Sequence, residues 1–179
     1  NHPRAIWTLA IIAFIESSFF PIPPDALLIP MILANPSKAW FYAGIAILAS
    51  VLGGLLGYAI GALAFEQIGQ PVLAALGMTQ AAMDYSENFN AVGYWAVLTA
   101  GITPIPFKVI TIISGMTAMP IGLFLTTAII ARGIRFFAVA TLLWFYGDRI
   151  RYFIEKQLSW VFLLFIVILI FGTMGVALL

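Results

Sequence analysis

Cysteine is absent from this chain, and histidine occurs once among its 179 residues. Without cysteine there is no disulfide, no thiolate chemistry and no indication of redox compartment. The single histidine, His2, stands at the extreme N-terminus and reads as part of a chain end rather than as a ligand. Neither a histidine-based metal site nor a Ser-His-Asp triad has raw material here. Charge is scarce as well: 8% of residues are Asp, Glu, Lys or Arg, where soluble domains carry about 25%. The net charge of +1 is uninformative, and no basic block suggests a nucleic-acid partner. Apolar residues make up 63% of the chain and the mean hydropathy is +1.09, which marks an integral membrane protein. The apolar run Ala5–Ile15 is followed by no small-residue cleavage site, so no signal peptide is expected. The first residue is Asn rather than Met, which leaves room for residues upstream.

Three segments are long enough to span a bilayer, which takes about 20 residues. Ala39–Phe65 carries no charge, Ile121–Tyr146 carries only Arg132 and Arg135, and Leu158–Leu179 carries none. Two other apolar regions are interrupted. Pro21-Ile22-Pro23-Pro24-Asp25 divides Ala5–Phe20 from Ala26–Leu33, and Pro104-Ile105-Pro106-Phe107-Lys108 divides Asn90–Ile102 from Val109–Thr117. Proline donates no backbone hydrogen bond and disfavours helix at the residue before it. Three prolines in four residues, Pro21, Pro23 and Pro24, exceed what a kink requires. Each interrupted region therefore reads as a re-entrant helical hairpin with its turn at membrane depth, where broken backbone is tolerated only inside protein or beside water. The competing reading is a kinked but complete spanning helix.

The two breaks lie 83 residues apart, and the same offset brings Phe41 onto Phe124. A hairpin makes no net crossing and the following helix makes one, so two successive copies of such a unit must be inverted. Inverted repeats with discontinuous helices are a transporter architecture. The expected fold is an all-α integral membrane protein: two inverted repeats, each a re-entrant helical hairpin plus a transmembrane helix, and an extra C-terminal transmembrane helix. It forms one membrane domain over 1–179, with repeat 1 at 5–65, an interfacial connection at 66–87, repeat 2 at 88–147 and the last helix at 157–179. The 66–87 segment holds three acids and no Lys or Arg, whereas 148–156 holds Arg149, Arg151 and Lys156. The positive-inside rule then places 148–156 in the cytoplasm. The face Ala49, Gly53, Gly57 and Gly61 suits close helix packing.

Five charged residues fall inside apolar sequence: Glu16, Asp25, Lys108, Arg132 and Arg135. Intramembrane ions are costly and mark function by default. Arg132 and Arg135 share one face of a helix, near its middle. The two acids could pair with two cations and only lock the fold, yet one cation remains over. A phosphate would match it, and Arg offers a donor fork suited to phosphate. The half-helices that start near Asp25 and Lys108 would point their positive ends into the same space. Asp25 is also a reasonable N-cap. Glu16 sits among Phe14, Ile15 and Phe19, where desolvation works against a permanent charge, and this makes it a candidate proton carrier.

Glu16-Ser-Ser-Phe-Phe-Pro-Ile-Pro-Pro-Asp25, Gly101-Ile-Thr-Pro-Ile-Pro-Phe-Lys108 and Arg132-Gly-Ile-Arg-Phe136 together resemble the DedA family of the VTT-domain (SNARE-associated Golgi protein) superfamily, over about residues 8–155. The Thr-Pro-Ile-Pro-Phe-Lys form looks most like the YqaA-type subgroup. The resemblance implies facing re-entrant hairpins, lipid movement across the prokaryotic inner membrane as a flippase or scramblase, and dependence on the proton-motive force. It places the family's essential acids on Glu16 and Asp25 and a basic position on Lys108. Many members carry an Arg before the second proline turn, where this chain has Ile102 and Thr103.

The expected function is translocation of a phospholipid or polyprenyl-phosphate lipid. Glu16 and Asp25 would serve proton coupling or transport. Lys108, Arg132 and Arg135 would hold the headgroup, and Pro21, Pro23, Pro24, Pro104 and Pro106 would form the turns. The partners are phosphate-bearing membrane lipids and protons, and no cofactor is implied. The alternatives are a proton-coupled transporter of a small soluble solute and a non-transporting scaffold. An enzyme is not expected, because no nucleophile–base pair or metal cluster occurs at recognisable spacing. Apolar residues and glycines on the membrane helices suit lipid contact and a homodimer face equally.

Overall fold

A computed structural model describes residues 3–19, 23–103, 106–147 and 149, which are helical almost throughout. The expected last helix at 157–179, the 148–156 connection apart from Arg149, and the turn residues Pro21 and Pro104 lie outside the described residues. Helices α1 (Pro3–Ser18) and α2 (Asp25–Ala34) flank the first proline break. A 3₁₀ turn at Pro36–Lys38 leads into α3 (Ala39–Ala64). A π turn at Phe65–Gly69 carries α3 into α4 (Gln70–Ala75). Helices α5 (Thr79–Ile102) and α6 (Phe107–Met116) flank the second break, and α7 covers Ile121–Gly147. Two helical stretches, Pro36–Ala75 and Ile121–Gly147, are long and apolar enough to cross a membrane. The ten residues of α2 and of α6 reach only about 15 Å at 1.5 Å per residue, half the hydrocarbon thickness.

One boundary differs from the sequence reading. The arm expected at Asn90–Ile102 is the C-terminal half of the 24-residue α5, so the proposed start of repeat 2 at 88 falls within a continuous helix. Asp84, Glu87 and Asn88 end the apolar run there, but polar residues do not end a helix, and no Pro or Gly occurs between Thr79 and Asn90. Hydropathy marked an edge that the backbone ignores.

Helices α4 and α6 close in the same way. The N–H of Gly77 bonds the Ala74 carbonyl at 3.1 Å and that of Met78 bonds Leu73 at 2.8 Å, with Gly77 left-handed at φ 68°. At the end of α6 the N–H of Ala118 bonds Gly115 at 3.1 Å and that of Met119 bonds Ser114 at 3.0 Å. This is the Schellman arrangement, which usually takes glycine at the left-handed position. Here that position in α6 is Ala118, at φ 51°. Two side chains steady the turn: Asn90 Nδ2 donates to the Thr117 carbonyl at 2.8 Å, and Tyr58 OH donates to the Met119 carbonyl at 2.6 Å.

Helix α3 lies between α1 and α6, and glycine decides how closely. A Cβ added at Gly53 would overlap the Phe14 carbonyl, one at Gly61 the Ile112 carbonyl, and one at Gly115 the Tyr58 carbonyl. The glycine face of α3 is thus a packing surface for two backbones. The remaining core has two parts. Leu9, Leu28, Ile32 and Ile47 pack with Phe136, Ala140 and Leu143 of α7. Val97, Phe107 and Met119 pack with Phe124 and Ala128 of the same helix. Arg132 and Arg135 stand on α7 where these two parts meet. Phe124 is fully buried while Phe41, its partner in the 83-residue offset, is exposed, so the two do not share an environment.

Candidate functional site

The charged residues singled out from the sequence come together at the two proline breaks, and four of the five pair off. Arg132 Nη2 donates to Glu16 Oε2 at 2.5 Å and to Ser17 Oγ at 3.0 Å. Ser17 Oγ lies 3.1 Å from Glu16 Oε2 and 2.6 Å from Ser50 Oγ on α3. A hydroxyl has one proton and two lone pairs. With the Ser17 proton on Glu16, Ser17 accepts from both Arg132 and Ser50, and all four groups join one chain. The guanidinium of Arg132 also lies over the Phe107 ring, 4.2 Å from its centroid, with Phe136 at 5.6 Å. Such stacking favours a desolvated cation. Arg132 is 1% exposed and Glu16 14%.

Arg135, three residues further along α7, takes a different partner. Its Nη2 donates to Asp25 Oδ2, and its Nη1 donates to the Thr103 carbonyl at the end of α5 at 2.7 Å. Asp25 stands in the first turn of α2 and makes no capping hydrogen bond, so its partner is the guanidinium and not its own helix. This pair is more open, with Arg135 17% and Asp25 21% exposed. It borders a cavity of about 280 Å³ lined by Asp25, Arg135, Ile102, Ile134, Ala138 and Val139. The second carboxylate oxygen, Oδ1, is buried without a hydrogen-bond partner.

Lys108 opens α6, and its Nζ donates to the Phe19 carbonyl just past the end of α1 at 3.4 Å. Each broken-helix C-terminus thus receives a cation from elsewhere in the fold: α1 receives Lys108 and α5 receives Arg135. Cations suit the negative end of a helix. Among the described residues Lys108 has no carboxylate partner. Pro23, Pro24 and Pro106 lie at the breaks, immediately before α2 and α6. Among the described residues no group of three His, Cys, Asp or Glu could hold a metal.

The sequence reading missed Ser17, Ser50, Thr111 and Phe107. Thr111 Oγ1 donates to both the Lys108 carbonyl at 2.9 Å and the Ser17 carbonyl at 3.2 Å, tying α6 to α1. A signal for two of these was present. Ser17 adjoins Glu16, and Ser50 is the sole serine or threonine in the uncharged run Ala39–Phe65.

The family model for the VTT domain matches residues 22–145. The chain belongs to the VTT-domain (DedA) family. The match takes in Asp25, Lys108, Arg132 and Arg135, while Glu16 precedes it. The chain is 35% identical over 159 residues to a protein of Haemophilus influenzae (strain ATCC 51907 / DSM 11121 / KW20 / Rd) described as an uncharacterized protein, covering 89% of this chain and 82% of that one. It is 36% identical over 161 residues to the "Uncharacterized protein HI0703 homolog" of Histophilus somni, covering 90% and 84%. No solved structure matches. A VTT domain with two long apolar helices makes this a membrane protein.

Proposed function

We propose that this VTT-domain protein moves a phosphate-bearing lipid across the bilayer, with α1–α2 and α5–α6 acting as two re-entrant hairpins of inverted repeats. Two features of packing support the repeat reading. The short arms α2 and α6 each fall well short of a full span. Helix α3 packs against α6 from the other half, and α7 packs against α2 from the other half through Phe136, Leu28 and Ile32.

The observation that carries the function is the Asp25–Arg135 pair beside its cavity. Carboxylate and phosphate compete for the same guanidinium fork. A headgroup phosphate that takes Arg135 displaces Asp25 from its cation, and that exchange is where lipid binding would meet the proton coupling proposed for Asp25. Lys108 supplies a further positive charge near the tips, while Arg132 and Glu16 hold α7 to α1 behind them. Ile102 and Ile134 line the cavity and are exposed on the outer surface of the fold, so the site opens sideways, as a ligand that leaves its tail in the bilayer requires. This favours a lipid over a soluble solute.

The test is reconstitution into vesicles with a fluorescent short-chain phospholipid or a polyprenyl phosphate, each with and without a pH gradient. Movement of either lipid, faster with the gradient, is the expected result. No movement of either overturns the proposal, and uptake of a soluble anion in its place transfers the site to the other transporter class.

A further inference from the structure

A second cavity, of about 620 Å³, lies at the other end of α3, away from the proline breaks. The π turn, α4, the start of α5 and the end of α6 enclose it. Its volume falls within the roughly 300–1,000 Å³ of ordinary ligand sites. Phe65, Leu73, Met83 and Met116 make its walls mostly apolar, and Glu66 is the only charged residue on them among the described residues. The surrounding segment 66–87 adds Asp84 and Glu87 and no Lys or Arg. Two backbone irregularities also meet in these walls. The π turn Phe65–Gly69 interrupts α-helical bonding, and such turns recur at functional sites. Ala118 holds a left-handed conformation that an L residue seldom adopts.

Helix α3 covers 26 residues, about 39 Å at 1.5 Å per residue, already more than the hydrocarbon thickness of about 30 Å and close to the roughly 40–45 Å that includes the headgroups. The π turn that follows it, with the cavity beside it, therefore falls in the interfacial zone. There an occupant presents an apolar tail to one wall and a polar head to the other. The charge of the lining selects which head. A net anionic head would meet Glu66 with no Lys or Arg among the described lining residues to offset it, whereas an ammonium group would gain a charge-assisted hydrogen bond. Gln70, Thr79 and Ser86, also on the walls, offer neutral donors to a phosphate.

We infer that this cavity binds one membrane lipid with an amine-bearing headgroup, its ammonium on Glu66 and its acyl chain against Phe65, Leu73 and Met116. The site is separate from Asp25–Arg135 and selects by the opposite sign of charge. It does not rest on the translocation reading: a chain that held such a lipid here yet moved none would fail that reading and leave this one standing.

The test is native mass spectrometry of the full chain in detergent, titrated with dioleoyl phosphatidylethanolamine and, separately, dioleoyl phosphatidylglycerol. Bound ethanolamine lipid should exceed bound glycerol lipid by about fivefold or more, as expected for one charge-assisted hydrogen bond at a partly exposed site. Glu66→Gln should bring the two lipids level without changing the melting temperature, since Glu66 is exposed. Ala82→Phe, which fills the cavity, should reduce ethanolamine-lipid binding. Equal binding of the two lipids by the unmodified chain, or an undiminished preference in Glu66→Gln, overturns the inference. So does a dimer that Ala82→Phe dissociates, because a second copy would then be the occupant.

Discussion

The two arginines of α7 are one helical turn apart and have opposite surroundings. Arg132 has an aromatic ring on its face, a serine beside its carboxylate partner and 1% exposure. Arg135 has a cavity beside it, a backbone carbonyl as second acceptor and an Asp25 oxygen left without a partner. Both pairs satisfy the rule that buried charge must be matched. One is nearly shut off from solvent, although Arg132 Nε is buried without a hydrogen-bond partner of its own, and replacing it would mainly disturb the fold. The other keeps an unspent acceptor and room for a ligand. The same chemical pair is thus enclosed in one setting and open to a cavity in the other, and the neighbours make the difference.

That contrast breaks most sharply at the closed pair. Arg132→Ala leaves Glu16, 14% exposed and still hydrogen-bonded by Ser17, without its cation, which should cost about 3 kcal/mol of stability. Thermal or denaturant unfolding in detergent measures it, and Glu16→Gln in the same chain should recover part of the loss. A loss under about 1 kcal/mol would mean that the pair does not fasten α7 to α1.

The open pair should respond in flux rather than in stability. Arg135→Gln removes a charge-assisted bond worth about 1.5–3 kcal/mol to its ligand, which amounts to a ten- to hundredfold slower lipid movement. Its melting temperature should fall less than that of Arg132→Ala. If the two variants lost flux and stability in equal proportion, the distinction between the pairs would collapse.

Packing of α3 against α6 gives a smaller and more local test. Gly61→Ala forces a methyl group onto the Ile112 carbonyl, an overpacking that should cost about 1–3 kcal/mol. Gly44→Ala meets nothing within 4 Å and should be neutral or stabilising by up to about 1 kcal/mol. Equal melting temperatures for the two would contradict the close approach of α3 and α6.

The smallest expected effect is at Ser50. Ser50→Ala removes the hydrogen bond to Ser17 and should cost about 0.5–1.5 kcal/mol. Lipid movement should change little, because the hydroxyl serves the closed pair.

Much of this site could be read from the residues. The proline breaks, the five charges and their placement on apolar segments follow from composition and spacing. The choice of partner does not. Arg132 and Arg135 were expected on one face of a helix, yet Arg132 meets Glu16 from α1 and Arg135 meets Asp25 from α2, across more than a hundred residues of chain. That choice depends on how α7 is seated between the two parts of the core, through Phe124 and Phe136, and no local pattern encodes it. Thr103 contributes a main-chain carbonyl, which side-chain chemistry cannot reveal. The length of α5 was obscured because its first half is polar, and the hydroxyl bridge at Ser17 and Ser50 because serine in an apolar run usually passes as filler.

The glycine contacts of α3 carry a mechanical consequence. Helices α1, α3 and α6 meet backbone to backbone at Gly53, Gly61 and Gly115, where no side chain intervenes to slide or re-pack. Separating them would forfeit contacts that nothing else could replace, so they form a chassis. Glu16 on α1 and Lys108 on α6 ride on that chassis and keep a fixed spacing. Asp25 and Arg135 belong to α2 and α7, which join it through larger apolar side chains that can shift rotamer. The open pair is thus joined to α3 only through side chains that can shift, while the closed pair ties α7 directly to the helix that α3 holds most tightly.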